Sequence, residues 1–170
     1  ASCQDTMDTH PTTTFDEATV WGSKATANAF VNATYDNVIN MFTGSSSCVG
    51  WEARTPNGVR CSQVGEGIDG IATELGIDRT SDFGISRFSL LRRCNLIIEK
   101  AQASTMTEGE KAEIIAKGRF LRGLVFYDLT RKMGRFVPIM SVIQSDQEEK
   151  ARVPMTSSVE ESYKLVVEDL

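Results

Sequence analysis

The chain of 170 residues holds a single histidine, His10, and its four cysteines include no Cys-x-x-Cys pair, so no metal site is expected. No apolar run approaches the roughly 18 residues of a membrane-spanning helix. Basic residues never gather into a block; the densest spots are Arg92-Arg93 and Arg131-Lys132. With a net charge of −5, this counts against nucleic acid as a partner. Missing too are a GxSxG elbow, an HExxH helix and a phosphate-cradling glycine loop, for which Gly65-Glu66-Gly67 is too short. These residues therefore support neither an enzyme nor a cofactor. What remains is an ordinary globular composition, 41% hydrophobic and 24% charged, on a chain long enough for one sizeable core.

The four cysteines do not form one set. Cys3 follows Ala1-Ser2, as the lipidated residue follows a bacterial lipoprotein signal peptide; an incidental cysteine is the alternative. Cys48 and Cys61 flank a loop and suit a local disulfide in an oxidising compartment, or are two free thiols. Cys94, amid Leu90, Leu91, Ile97 and Ile98, reads as a small buried hydrophobe.

Periodicity gives a mainly α fold. Residues 1–13 are polar and read as a tether, with the helical domain occupying 14–170. Thr14 and Glu17 have capping-box spacing, and Val20, Ala27, Val31, Tyr35, Val38 and Phe42 form one apolar stripe. A continuous helix from about 15 to 42 is predicted, its polar face carrying Lys24, Asn28, Asn32 and Asp36. Residues 44–67 are dense in Gly, Ser, Pro and Asn, with a tight turn at Asn57-Gly58; 68–80 are left unassigned. A second helix is predicted over 82–103, with Asn95 at its margin as a buried hydrogen-bonding post or a solvated edge residue, the former favoured.

A third helix should open at the capping box Thr107–Glu110 and end at Gly134. Phe120, Leu124 and Tyr127 point one way and Leu121, Val125 and Leu129 another, so neighbours are expected on at least two sides. Gly118 and Gly123 each weaken a helix by about 1 kcal/mol relative to Ala, which close helix–helix approach would offset. Phe136-Val137-Pro138-Ile139 is then extended, 144–157 is a polar loop, and Ser157–Glu160 caps a last helix. Its apolar positions Val159, Tyr163, Val166, Val167 and Leu170 stay in phase to the final residue, as expected of a fragment cut within a helix.

Two groups of side chains compete for a functional reading. Arg119, Arg122, Tyr127 and Asp128 could be taken for a charged catalytic cluster. Arg122 and Asp128 are six residues apart, however, and fall on different helix faces, which suits structural ion pairs and solvent-reaching stems. Trp51 offers a flat apolar face of the kind sugar rings stack on, with Arg54, Asn57 and Arg60 near it in sequence to bond hydroxyls. A tryptophan that plugs its own loop is the alternative.

Residues 113–140, EIIAKGRFLRGLVFYDLTRKMGRFVPIM, resemble the hallmark of the SusD/RagB family, a pattern like A-x-FLRA-x-x-Y-x-L-x-x-x-x-G-x-VP. SLLRRCNLIIEKA (89–101) is similar to that family's helix with a buried Asn followed by an apolar pair, and MTSSVEESYKLVVEDL (155–170) to its recurrent helix ending in Asp-Leu. Cys3 with Gln4-Asp5 and the first helix with Tyr35 fit as well, and these pieces occur in family order.

The resemblance implies a surface lipoprotein of Bacteroidota, lipid-anchored through Cys3 in the outer membrane and facing outward. It implies a lid over a SusC-like TonB-dependent transporter that captures glycan or oligosaccharide without hydrolysing it. The implied architecture is a SusD-like superhelix of tetratricopeptide-like helix pairs with long irregular loops, of which this chain is the N-terminal portion. Gly118 and Gly123 depart from the family's usual Ala, one small residue for another. Ligand contacts vary across the family, so Trp51, Arg54 and Asn57 are candidates from their chemistry alone. A soluble helical-repeat interaction module is the alternative function.

Overall fold

The computed structural model describes residues 17–43 and 85–170. Among these residues six helices follow in order: α1 Glu17–Trp21, α2 Lys24–Thr43, α3 Ile85–Ala103, α4 Glu108–Met133, α5 Glu148–Ala151 and α6 Val159–Asp169. No strand occurs among the described residues, so the fold is mainly α. α4 lies centrally, packed against α2, α3 and α6.

The predicted continuous first helix is broken at Gly22-Ser23. A Cβ at Gly22 would stand 2.7 Å from the Ala18 carbonyl oxygen, a closeness only glycine permits. Ser23 restarts the helix, its Oγ accepting from the Thr26 amide at 3.3 Å and its carbonyl from the Ala27 amide at 3.0 Å. The buried stripe of α2 is Ala27, Val31, Thr34 and Val38, and Tyr35, predicted to belong to it, is 48% exposed. The i+7 step from Ala27 favours Thr34, whose hydroxyl is satisfied inside by the Phe30 carbonyl at 2.9 Å and by Arg93 Nε at 3.3 Å. The expected polar face of α2 is partly an interface: Lys24 pairs with Glu113 at 2.6 Å, and Asn28 accepts from Lys117 at 2.8 Å.

On α3, Leu91, Cys94, Ile97 and Ala101 are fully buried. α4 opens as predicted: Thr107 accepts from the Glu110 amide while the Glu110 carboxylate accepts from the Thr107 amide, at 3.4 and 3.0 Å. It ends as predicted at Gly134, whose φ of 75° suits glycine and whose amide donates to the Thr130 carbonyl. Leu121, Val125, Phe126 and Leu129 face the core, with Phe126 tilted against Phe136 at 4.9 Å between centroids. The Phe120–Tyr127 side, expected to pack, is instead the open one, those rings being 44% and 40% exposed.

Two of the three glycines of α4, Gly118 and Gly123, sit where another element presses on it. A Cβ at Gly118 would meet Ile97 and Ile98 of α3 at 2.9 Å, and one at Gly123 would meet Leu170 at 3.1 Å and Asp169 at 3.3 Å. The polar loop contains the single turn α5, which four residues of weak pattern did not announce. The last cap falls one residue later than predicted. Ser158 accepts from the Glu161 amide at 3.1 Å, and Glu161 accepts from the Ser157 amide at 2.6 Å. Ser-Ser followed by Glu-Glu offers both registers; the one adopted turns Ser162 inward, 2.7 Å from the Thr156 hydroxyl.

Candidate functional site

Among the described residues, charge enters the interior of this bundle at two places, centred on Arg122 and Asp128 of α4. Arg122, 7% exposed, sends its guanidinium toward α6 and α3. Nε and Nη2 donate to the two carboxylate oxygens of Asp169 at 2.6 and 2.9 Å, and Nη1 donates to Asn95 Oδ1 at 2.9 Å. The fork geometry of arginine suits a two-point grip on a carboxylate. Arg119, one turn earlier, adds a bond to Asp169 Oδ1 at 3.1 Å and another to the Glu168 carbonyl. Asn95, 1% exposed, is the buried post: its Nδ2 donates to the carbonyls of Ile139 at 2.9 Å and Ser141 at 3.2 Å.

Asp128 forms the second place, fully buried and met by Arg87 at 2.8 Å, Arg131 at 2.7 Å and Lys132 at 2.9 Å. Burial pushes its carboxyl upward, but the hydrogen bonds from Lys132, Arg87 and Arg131 outweigh this and hold it below the ordinary range. For Lys132, desolvation outweighs the attraction of Asp128 and lowers its affinity for the proton. Arg122 and Asp128 thus serve two separate networks, as their spacing predicted. Arg122 departs from the solvent-reaching stem expected of it, because Asp169 is delivered to it inside the protein.

Among the described residues every buried side-chain nitrogen and oxygen has a partner. Burial pushes the Cys94 thiol up to about 12, against opposing pulls from Arg122 and Arg93, so it stays protonated and inert. Both charged networks therefore do structural work, joining helices through groups whose hydrogen-bonding capacity is already used.

Two open surfaces among the described residues carry exposed apolar side chains. A groove of about 360 Å3 runs between α2 and α4 over Val31, Ala116 and Leu121, with the half-exposed rings of Tyr35 and Phe120 and the polar heads of Asn32 and Lys117 around it. Two flat aromatic faces beside an amide and an ammonium offer stacking and hydrogen bonding together. The outer face of α6 exposes Tyr163 and Val167, at 43% and 73%, flanked by the half-exposed Val159 and Leu170, which also lean on Gly134 and Gly123.

The candidate ligand residues Trp51, Arg54 and Asn57, the possible disulfide Cys48–Cys61 and the lipidation candidate Cys3 all lie outside the described residues. The residues that sequence reasoning missed are Asp169, for which chain position gave no sign of burial, and the Tyr35–Phe120 pair. The pair could have been found by asking which aromatic on each helix falls off the buried stripe. No described helix is long and apolar enough to cross a membrane. No protein-family model, curated protein or solved structure matches this chain.

Proposed function

We propose that this chain is part of a SusD-like nutrient-capturing lipoprotein. In this reading it is anchored through lipid on Cys3 at the outer face of the outer membrane, works with a SusC-like TonB-dependent transporter and binds glycan without catalysis. The helices then form tetratricopeptide-like pairs that hold binding loops in place. One observation carries the reading: three stretches with family-like sequence contribute to one buried network. Asn95 comes from SLLRRCNLIIEKA, Arg122 from GRFLRG and Asp169 from the closing Glu-Asp-Leu, and the three side chains bond one another in series. A scaffold whose recurring residues lock its helices together leaves ligand choice to its loops, which suits a family of varied nutrients.

Mass spectrometry of the N-terminus of protein taken from its native membrane tests the anchor. Acylated Cys3 is expected; an unmodified Cys3, or outer-membrane fractionation surviving Cys3→Ala, rejects it. A glycan array probed with the full-length protein tests the ligand class. Trp51 can be followed by fluorescence because Trp21, the other tryptophan, is 7% exposed and packed against Phe30 at 5.4 Å. A Trp21→Phe background isolates the Trp51 signal, and unchanged glycan affinity in Trp51→Ala assigns that ring to structure. A second reading, a soluble helical-repeat interaction module, is favoured by the exposed apolar face of α6. Failure of glycan binding together with an unmodified Cys3 would select it.

A further inference from the structure

Residues 139–143 carry no helix, and their backbone groups need partners from elsewhere. α3 supplies them from one face, where Arg92, Asn95 and Glu99 follow at helical spacing. Arg92 donates to the Ile143 carbonyl at 2.7 Å, Asn95 to those of Ile139 and Ser141, and Glu99 accepts from the Val142 amide at 2.8 Å. This short strap is thus held by side chains rather than by a ladder of its own.

Of the three, Asn95 alone is oriented by a group on another helix. Its Oδ1 is taken by Arg122 Nη1 at 2.9 Å, which turns Nδ2 toward the strap, and the same Nη1 lies 3.4 Å from the Met140 carbonyl. Arg122 is fixed in turn by both oxygens of Asp169, whose side chain is 2% exposed. If α6 withdrew Asp169, a buried guanidinium would be left uncompensated and would have to move toward water. Asn95 Oδ1 would then lose its donor, and nothing would hold the amide in the orientation the strap requires.

We infer that Arg122 couples the docking of α6 to the order of the strap 139–143, so that drawing α6 away releases the strap. The outer face of α6, with Tyr163 and Val167 exposed, is where a contact would act on that helix. A second tie joins α6 to the same region without Arg122: the Thr156 hydroxyl meets Ser162 at 2.7 Å, and its amide donates to the Phe136 carbonyl at 2.9 Å. This provides an internal control.

Hydrogen exchange on the full chain reads the coupling at the Val142 amide. In Asp169→Asn, Val142 exchange is expected to accelerate by about tenfold or more while amides in the middle of α3 keep their protection. In Ser162→Ala, the first turn of α6 loosens and Val142 is unchanged. Arg122→Lys keeps a positive charge for Asp169 but cannot also reach Asn95 with a fork. There Val142 is expected to accelerate while α6 stays protected, which keeps the test decisive if Asp169→Asn does not fold. Loosening of α6 in Asp169→Asn with Val142 still protected overturns the coupling. So does equal acceleration of α3, α6 and Val142, and so does a protected Val142 in Arg122→Lys.

Discussion

Gly118 and Gly109 occupy the same helix, and opposite outcomes are expected when each becomes alanine. At Gly118 the new methyl would stand 2.9 Å from Ile97 Cγ2 and Ile98 Cγ1, branch atoms close to the α3 backbone with little room to give. The helix-propensity gain of about 1 kcal/mol is set against overpacking of about 1–3 kcal/mol, so Gly118→Ala should lower stability by about 1 kcal/mol. Nothing lies within 4 Å of a Cβ at Gly109, and that change should gain about 0.5–1 kcal/mol. Urea denaturation of both variants checks the pair; a stabilising Gly118→Ala would mean the helices can separate without cost. For the buried pair, Arg122→Met leaves Asp169 charged and without its two-point partner inside the protein. A loss of about 3–5 kcal/mol is expected in the same measurement.

At the scale of elements, α4 shows what the sequence announces well and what it does not. Its capping box, its end at Gly134 and the close approach at Gly118 and Gly123 follow from local chemistry, so Thr107–Glu110 and Gly118 could be read directly. Thr107→Ala should cost about 1 kcal/mol in a thermal or urea melt. Which of its apolar faces is covered depends on where α2 and α6 come to lie. That is why the pattern alone does not separate the open side, with Phe120 and Tyr127, from the covered side, with Leu121 and Val125. Asp169 could not be read for the same reason: its partner, Arg122, is 47 residues distant.

The contact between α2 and α4 also carries a pH dependence. Hydrogen bonds from Lys117 and then Lys24 hold Glu113 down to about 2 from the ordinary carboxylate value of 4.5. A depressed folded-state value means the stabilisation is complete above about 4.5 and is lost as pH falls through about 2. Urea midpoints measured from pH 6 to pH 2 should fall less steeply in Glu113→Gln than in the native chain. Added salt should shrink the difference, since these groups are exposed. Identical pH slopes in the two proteins would remove Glu113 from the account.

At the scale of the whole molecule, α6 is bonded from within and open from without. Val166 and Asp169 point inward, Tyr163 and Val167 form an apolar outer face, and Val159 and Leu170, half exposed, lean on Gly134 and Gly123 at its edge. Sequence periodicity placed all these apolar residues on one stripe, because period alone cannot tell a covered stripe from an uncovered one. Neighbouring valines provide the test. Val166 is 4% exposed and Val167 is 73% exposed, so a glutamate at each position meets opposite surroundings. Val166→Glu buries an unpaired carboxylate against the core and should cost more than about 4 kcal/mol, enough to unfold a marginal domain. Val167→Glu should stay within about 0.5 kcal/mol of the native chain, a shift in Tm of about 1–2 °C for a chain of this size. Circular dichroism melts of the two variants separate the cases. A large drop for Val167→Glu would mean that this face is already covered within the folded chain, leaving α6 no outer surface through which a contact could act on Asp169 and the strap.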